Sequence, residues 1–441
     1  MKHGFFGMGN SNLGVYDYLR RHGELGDVTL RSDGQIPQDI RDALCPERVF
    51  EKDASLDQLN EDVLFLSPSV RRDREELIKA QARGVKLSSD LELFLERRGR
   101  IDYAITGSDG KSTTTHMIAA ILEASGKHAR PTGNYGVPLS TVIDTEEISV
   151  AELSSFQLNF TSPNVNTAVI TGITPNHLNW HTSLEEYVAA KRRITDTAKR
   201  VVADTDSELM RTVVEERRLF AAVSTSLQYN ELSTHVRSEH YLTYRCGVIY
   251  LDSVPLIDIS GALRHELYNV KNYMLAAGSL IGTASAETVG EVIRSFRGLA
   301  HRAQLVAERD GIKYYDSSVD STPERTLATL RGIRGRNAVI IAGKGKRLSL
   351  FKLSEELPRL TVGCVLMGKI GEELSLLLSR NHGYKYLFAS DMQSAVTEAA
   401  QLLGGEGNVI LSPAGTSFDV YKNFEERGRA FCSVVKKTIE K

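Results

Sequence analysis

Short apolar runs alternate with longer segments of helical period along most of this chain. The first run, Gly4-Phe-Phe, leads through Gly7-Met-Gly9-Asn-Ser-Asn12 into a helix, and Val28–Leu30 and Val63–Leu66 are the next strands. A charged helix over Leu91–Gly99 ends at Arg97-Arg98-Gly99, which marks a boundary. Ile101–Ile105 then predicts a strand, Thr114–Ala124 a helix, and Ile148–Ala151 and Thr167–Ile170 further strands. Between Ser224 and Ser260 helical runs thin out and short strand-like pieces such as Cys246–Leu251 take over. Past Leu299-Ala-His301 the alternation resumes, with strands at Lys313–Tyr315, Ala338–Ile341, Cys364–Met367 and Val409–Leu411. Strands and helices in alternation predict an α/β protein whose mostly parallel sheets carry helices on both faces.

The chain has 441 residues, too many for one core, and about three domains of ordinary size are expected. An apolar fraction of 41% with 25% charged residues fits a water-soluble globular protein. A net charge of −2 offers no global attraction to nucleic acid or to an anionic membrane, and neither is expected as a partner. Cys45, Cys246, Cys364 and Cys432 lie far apart without a CxxC pair, which argues against zinc and disulfides and suits a reducing cytoplasm. Glycines interrupt the apolar start, so no signal peptide is read, and no run approaches the roughly 20 residues that span a bilayer.

The strongest chemical signal is Thr106-Gly-Ser-Asp-Gly-Lys-Ser-Thr113, set between a strand and a helix. Such a turn cradles a nucleotide phosphate: backbone N–H groups of Gly107, Ser108, Asp109 and Gly110 wrap the anion, Lys111 neutralises charge, and Ser112 ligates Mg²⁺. The first glycine of the longer phosphate-loop pattern is replaced by Ile105. Glu152 follows the run Ile148–Ala151, and the carboxyl ends of strands are where open α/β sheets bind ligands. Glu152 is therefore placed to join Ser112 around a metal, against the alternative of a solvated glutamate at a strand end. His177, after Ile170-Thr-Gly-Ile-Thr-Pro, is presented at the same edge. The N-terminal Gly-x-Gly-x-x-Asn departs from the dinucleotide fingerprint at Asn12, and a diphosphate of another nucleotide fits at least as well as a nicotinamide cofactor.

Thr182-Ser183-Leu-Glu-Glu186 resembles a capping box, in which Ser183 caps a helix and Glu186 reaches back. Leu184, Tyr187, Val188 and Ile194 form the apolar stripe of that helix, and Lys191 lies on it. The amine is either buried, and then paired, neutral or modified, or it snorkels to solvent.

Taken together, these pieces resemble the Mur ligase family of ATP-dependent amide-forming enzymes. The resemblance rests on Gly107–Thr113, Gly133-Asn-Tyr-Gly-Val-Pro138, Glu152-Leu-Ser-Ser-Phe-Gln157, Thr174-Pro-Asn-His-Leu-Asn-Trp-His181 and Ala190-Lys-Arg-Arg-Ile194. It continues through Tyr268-Asn-Val-Lys-Asn272, Gly298-Leu-Ala-His-Arg302, Asp316-Ser317, Leu411-Ser-Pro-Ala414, Ser417-Phe-Asp419 and Asn423-Phe-Glu-Glu-Arg-Gly428.

It implies a Rossmann-like UDP-binding domain over residues 1–97, a central P-loop ATPase-like domain over 98–299, and a Rossmann-like amino-acid-binding domain over 300–441. It implies the small-molecule substrates UDP-N-acetylmuramoyl-L-alanine, D-glutamate and ATP, and a monomer. Two Mg²⁺ sites are implied, the first served by Ser112 and Glu152, the second by His177 and a carbamylated Lys191. Thr113 would join the loop in holding ATP, as would Asn269 near the adenine and Arg302 and Asp316 at a domain junction. Gly9, Ser11, Asn12, Arg31 and Asn134 would contact the UDP-sugar substrate, and Lys346, Ser417 and Phe424 the incoming amino acid.

Two departures stand out. The D-glutamate enzymes usually carry Asp-Ser-Lys-Ala-Thr-Asn where this chain has Asp316-Ser-Ser-Val-Asp-Ser321, putting Ser318 and Asp320 in place of a lysine and a threonine. The usual His-Arg-x-Glu is His301-Arg-Ala-Gln304. Alternatives are a related ligase adding another amino acid such as L-glutamate, a folylpolyglutamate-type ligase, a phosphate-loop nucleotide switch that forms no bond, and an inactive partner subunit.

Overall fold

The computed structural model describes all residues except 176, 178, 179, 215, 216, 265, 346–348, 381, 382, 418, 419 and 441, and the side chains at 39, 208 and 212. Its contacts divide the chain into two compact units, Met1–Phe296 and Arg297–Lys441. The fold is α/β with three sheets, the first two in the first unit and the third in the second.

The first sheet contains β1 (Lys2–Phe6), β2 (Asp27–Ser32), β3 (Arg48–Glu51), β4 (Val63–Leu66) and β5 (Lys86–Ser88), all parallel, in the order β3-β2-β1-β4-β5. The order reverses between β1 and β4, which opens a crevice at their carboxyl ends. Gly9 caps the helix Asn10–Arg21 there and Ser11 lies in its first turn. Gly7, at φ +80°, makes the turn and donates its N–H to Arg31 O at 2.8 Å.

The second sheet runs β14-β13-β12-β11-β10-β9-β6-β8-β7. Its strands are β6 (Ile101–Thr106), β7 (Ala129–Gly133), β8 (Ile148–Glu152), β9 (Val165–Ile170), β10 (Arg200–Asp204), β11 (Leu219–Ser224), β12 (Ser238–Arg245), β13 (Val248–Leu251) and β14 (Val254–Asp258). Pairing is parallel from β7 through β12, and β13 and β14 add an antiparallel edge. β6 lies between β8 and β9, so the ends of all three meet at one edge. Asp90 ties the two sheets together: its buried carboxylate accepts the N–H groups of Leu139 and Ser140, each at 2.9 Å.

The third sheet has β15 (Gln304–Arg309), β16 (Ile312–Asp316), β17 (Asn337–Ala342), β18 (Gly363–Leu366), β19 (Lys385–Phe388) and β20 (Gly407–Ala414), in the order β15-β16-β20-β17-β18-β19. Only the β15–β16 pair is antiparallel. β17 is buried at every position because helices cover both faces, and its sequence Asn-Ala-Val-Ile-Ile-Ala is continuously apolar after the first residue. Among the described residues no helix is long and apolar enough to cross a membrane.

Candidate active site

The loop after β6 builds the site. Gly107 at φ +147° and Gly110 at φ +81° adopt conformations that side chains rarely tolerate, and a Cβ on either would strike Thr171 Oγ1 or Asn272 Oδ1. The following helix begins at Lys111, not at Thr114 as its apolar pattern suggested, because Gly110 already acts as its N-cap. That shift matters chemically, since the first unpaired N–H groups of the helix belong to the loop itself. Ser108 is locked in place: its N–H donates to Gly172 O at 2.8 Å, its hydroxyl lies 2.7 Å from the Tyr187 hydroxyl, and it accepts from Thr174 N at 2.9 Å. Asp109 is exposed, and its carbonyl accepts Thr171 Oγ1.

Around this loop three distant segments converge. Ser112 Oγ donates to Glu152 Oε2 at 2.6 Å, while Asn134 Nδ2 donates to Glu152 Oε1 at 2.9 Å. Glu152 is 2% exposed, so it is not a solvated strand-end glutamate. Lys191 is equally buried and donates from Nζ to Gly107 O at 2.7 Å, with the Tyr187 ring 4.7 Å beneath it, so it does not snorkel to solvent. Lys111 Nζ reaches the same Gly107 carbonyl at 3.0 Å and Ser108 O at 2.8 Å. Burial, reinforced by the Lys111 cation, holds the Lys191 amine well below the ordinary lysine range. His177 has a left-handed backbone, φ +56°, with its ring 5.1 Å from that of Phe156 in the short helix after Glu152.

The start of the Lys191 helix differs from a reciprocal capping box. Ser183 Oγ accepts the Glu186 N–H at 3.2 Å, but the Glu186 carboxylate binds Thr182 N and Oγ1 and the Arg71 guanidinium rather than the Ser183 N–H. Burial raises the pKa of Glu186, and Arg71 and Thr182 outweigh it, leaving the group at about 2.

Two residues read as substrate contacts are turned inward. All five N–H donors of Arg31 are taken: by Glu61, twice, and by the carbonyls of Ser55, Asp57 and Gln58. Its fully buried guanidinium also stacks 4.4 Å from the Phe50 ring, so it pins the segment after β3 and retains no donor for a ligand. Asn12 is likewise buried, with Nδ2 donating to the carbonyls of Phe6, Gly7 and Phe65 at the switch point, while Oδ1 has no hydrogen-bond partner among the described residues.

Asn269 donates from Nδ2 to Glu266 Oε2 at 2.9 Å, near the start of the helix Leu267–Ser279.

In the second unit, Asp316 ends β16 fully buried, with Oδ2 2.6 Å from His301 Nδ1 and Oδ1 accepting Ser318 N. Arg302 is exposed next to His301, and the Gln304 side chain accepts the His301 N–H at 3.2 Å. Ser417 is buried, and Phe424 opens the helix Phe424–Ile439. Lys346 lies outside the described residues.

Ser318 and Asp320 are absorbed internally. Ser318 Oγ donates to Phe424 O and accepts from the buried Arg427, and Asp320 Oδ2 accepts the hydroxyls of Thr329 and Ser412 at 2.7 and 2.8 Å. Burial raises the Asp320 carboxyl, favouring its neutral form, so the extra acid is not an exposed charge.

The sequence reading passed over Tyr187 and Thr171. Tyr187 looked like one more apolar stripe residue, and only the fold reveals that it holds both Ser108 and Lys191.

Comparison with known proteins settles the family. The Mur ligase middle domain matches residues 105–280. UDP-N-acetylmuramoylalanine–D-glutamate ligase of Ruminiclostridium cellulolyticum is 33% identical over 97% of this chain and 95% of its own. The enzyme of the same name from Clostridium beijerinckii is 32% identical over 99% and 96%. The chain belongs to the Mur ligase family. Solved Mur ligases share its fold: UDP-N-acetylmuramate–alanine ligase of Thermotoga maritima superposes with a TM-score of 0.59 at 19% identity, covering 99% of this chain and 100% of that one. A pseudomurein peptide ligase type C from Methanothermus fervidus gives 0.54 at 15% identity, covering 99% of each.

The donor set also bears on a metal. Ser112 and Glu152 place two hard oxygens side by side, the donor type that Mg²⁺ takes. Among the described residues no three His, Cys, Asp or Glu side chains cluster as a ready-made metal site.

Proposed function

We propose that this Mur ligase joins D-glutamate to UDP-N-acetylmuramoyl-L-alanine at the expense of ATP, in the cytoplasm and as a monomer. The single observation that carries the reading is the buried cluster of Ser112, Glu152 and Lys191 around the phosphate loop, with Asn134 hydrogen-bonded to Glu152 at its exposed side. A nucleotide switch needs the loop but gives a buried amine no task. The names of the relatives favour these two substrates.

In this proposal residues 1–97 hold the UDP through Gly9 and Ser11, residues 98–299 hold ATP, and residues 300–441 bring the amino acid to Ser417, Phe424 and Lys346. Gly107–Thr113 wrap the phosphates, and Asn269 meets the adenine. The substrate carboxylate attacks the γ-phosphate, giving an acyl phosphate and ADP, and the incoming amine then displaces phosphate. Lys111 stabilises charge on the transferring group, so catalysis is positioning and electrostatics. Asn134 orients Glu152 and lies where the reacting end of the sugar substrate would arrive.

Ser112 and Glu152 would hold one Mg²⁺, and His177 with carbamylated Lys191 a second; bound there, the ions would neutralise phosphate charge. A neutral amine is the form that adds CO₂, and burial of Lys191 favours that form.

The test is phosphate release with UDP-N-acetylmuramoyl-L-alanine, ATP, Mg²⁺ and a panel of amino acids. Release that requires every component and is fastest with D-glutamate is expected. Release indifferent to amino acids would overturn the reading, and preference for another amino acid would change only the second substrate.

A further inference from the structure

The edge of the second sheet remote from the phosphate loop carries an unexplained concentration of charge. β10 starts there with Arg200 and ends at Asp204 on the loop side, so the two edges are separated by a strand about 15 Å long. At this remote edge a pocket of about 470 Å³ is lined by Lys199, Arg200, Arg217, Arg218, Phe220 and Glu239, among others. That is room for a small ligand. Among the described residues four cations and one carboxylate line it, in a protein whose net charge is −2.

Among the described residues the four have no ion-pair partner. Several other arginines are engaged, as in Arg71–Glu186, Arg72–Glu92, Arg74–Asp33 and Arg130–Glu147. None of Lys199, Arg200, Arg217 or Arg218 makes an ion pair with a described residue; the sequence neighbours Glu215 and Glu216 lie outside the described residues. Lys199, Arg200 and Arg218 are exposed, and the Arg200 guanidinium carbon lies 4.4 Å from the centre of the Phe220 ring. Like charges gathered in a concavity repel one another and focus a positive potential, an arrangement that a polyvalent anion relieves. Guanidinium forks match phosphate oxygens geometrically.

We infer that this pocket binds a multivalent phosphate anion at a site separate from the nucleotide loop. The phosphate could come from a free oligophosphate or from the headgroups of an anionic lipid, and the chemistry recognised is the same.

The test uses the full chain with its nucleotide loop saturated by a non-hydrolysable ATP analogue and Mg²⁺, so the outcome does not depend on the ligase reading. Inorganic pyrophosphate is titrated calorimetrically, and co-sedimentation is measured with phosphatidylglycerol-containing vesicles. The pair Arg217→Gln/Arg218→Gln is compared with wild type, and Arg200→Gln serves if that pair fails to fold. Binding of either probe to wild type, weakened at least about tenfold in the variant while affinity for the ATP analogue is unchanged, supports the site. Pyrophosphate binding alone identifies free phosphate, and vesicle binding that the variant loses identifies lipid. Failure of both probes to bind wild type, or binding that the variant leaves intact, overturns it.

Discussion

At the scale of single residues, burial decides chemistry. Lys191 and Lys111 share the Gly107 carbonyl, and burial disfavours the charge of the Lys191 amine. Lys191→Ala is expected to lower ligation at least about a hundredfold, with partial recovery in short carboxylic acids; wild-type activity in the variant would refute the carbamate role. Arg31 is the opposite case, a buried cation fully matched by its surroundings. Arg31→Met strands the Glu61 carboxylate and three carbonyls, and denaturant titration is expected to show a loss of about 3–5 kcal/mol with ATP-analogue affinity unchanged. Asp320 tests the inward reading of the altered motif. Asp320→Asn preserves its shape and the neutral form, and KM for D-glutamate is expected to change less than about threefold. A larger rise would mean that this carboxyl addresses the substrate.

At the scale of elements, the helix Leu184–Arg192 is fixed by its first turn. Glu186 binds Thr182 behind it and Arg71 across from it, so one carboxylate both caps the helix and ties it to the segment following β4. Its pKa is depressed from the ordinary glutamate value to about 2. The stabilisation is therefore complete above about pH 4.5 and disappears as pH falls toward 2. Unfolding free energy is expected to drop over that window by about 2–3 kcal/mol, the side chain being partly exposed, and by much less in Arg71→Ala. A pH slope identical in both proteins would show that Glu186 contributes nothing. The cap signature was legible in the sequence, but its second half was misassigned, because Arg71 lies 115 residues away and local pattern carries no trace of it.

At the scale of the whole molecule, two compact units each enclose their own core. Leu327, Val339, Leu353, Leu366 and Leu374 on one face and Val365, Val396, Leu411 and Phe431 on the other fill the second unit. Residues 297–441 expressed alone are expected to unfold in one cooperative urea transition; a broad, non-cooperative melt would show that the first unit is needed.

The alternation of strand and helix, the phosphate-loop glycines and the change of pattern after Ser224 were readable because each is a periodicity or turn requirement carried by neighbours along the chain. β3, β5 and β19 were not singled out, since each is three or four residues long and all three are sheet edges with little continuous apolar character. What only the tertiary structure decided is which polar side chains turn inward. Ser112 meets Glu152 across 40 residues and Lys191 meets Gly107 across 84, while Arg31 is drawn away from the crevice by carbonyls of a later loop. A side chain's exposure and partners are set by segments that pack against it from far along the chain, and local sequence does not encode them.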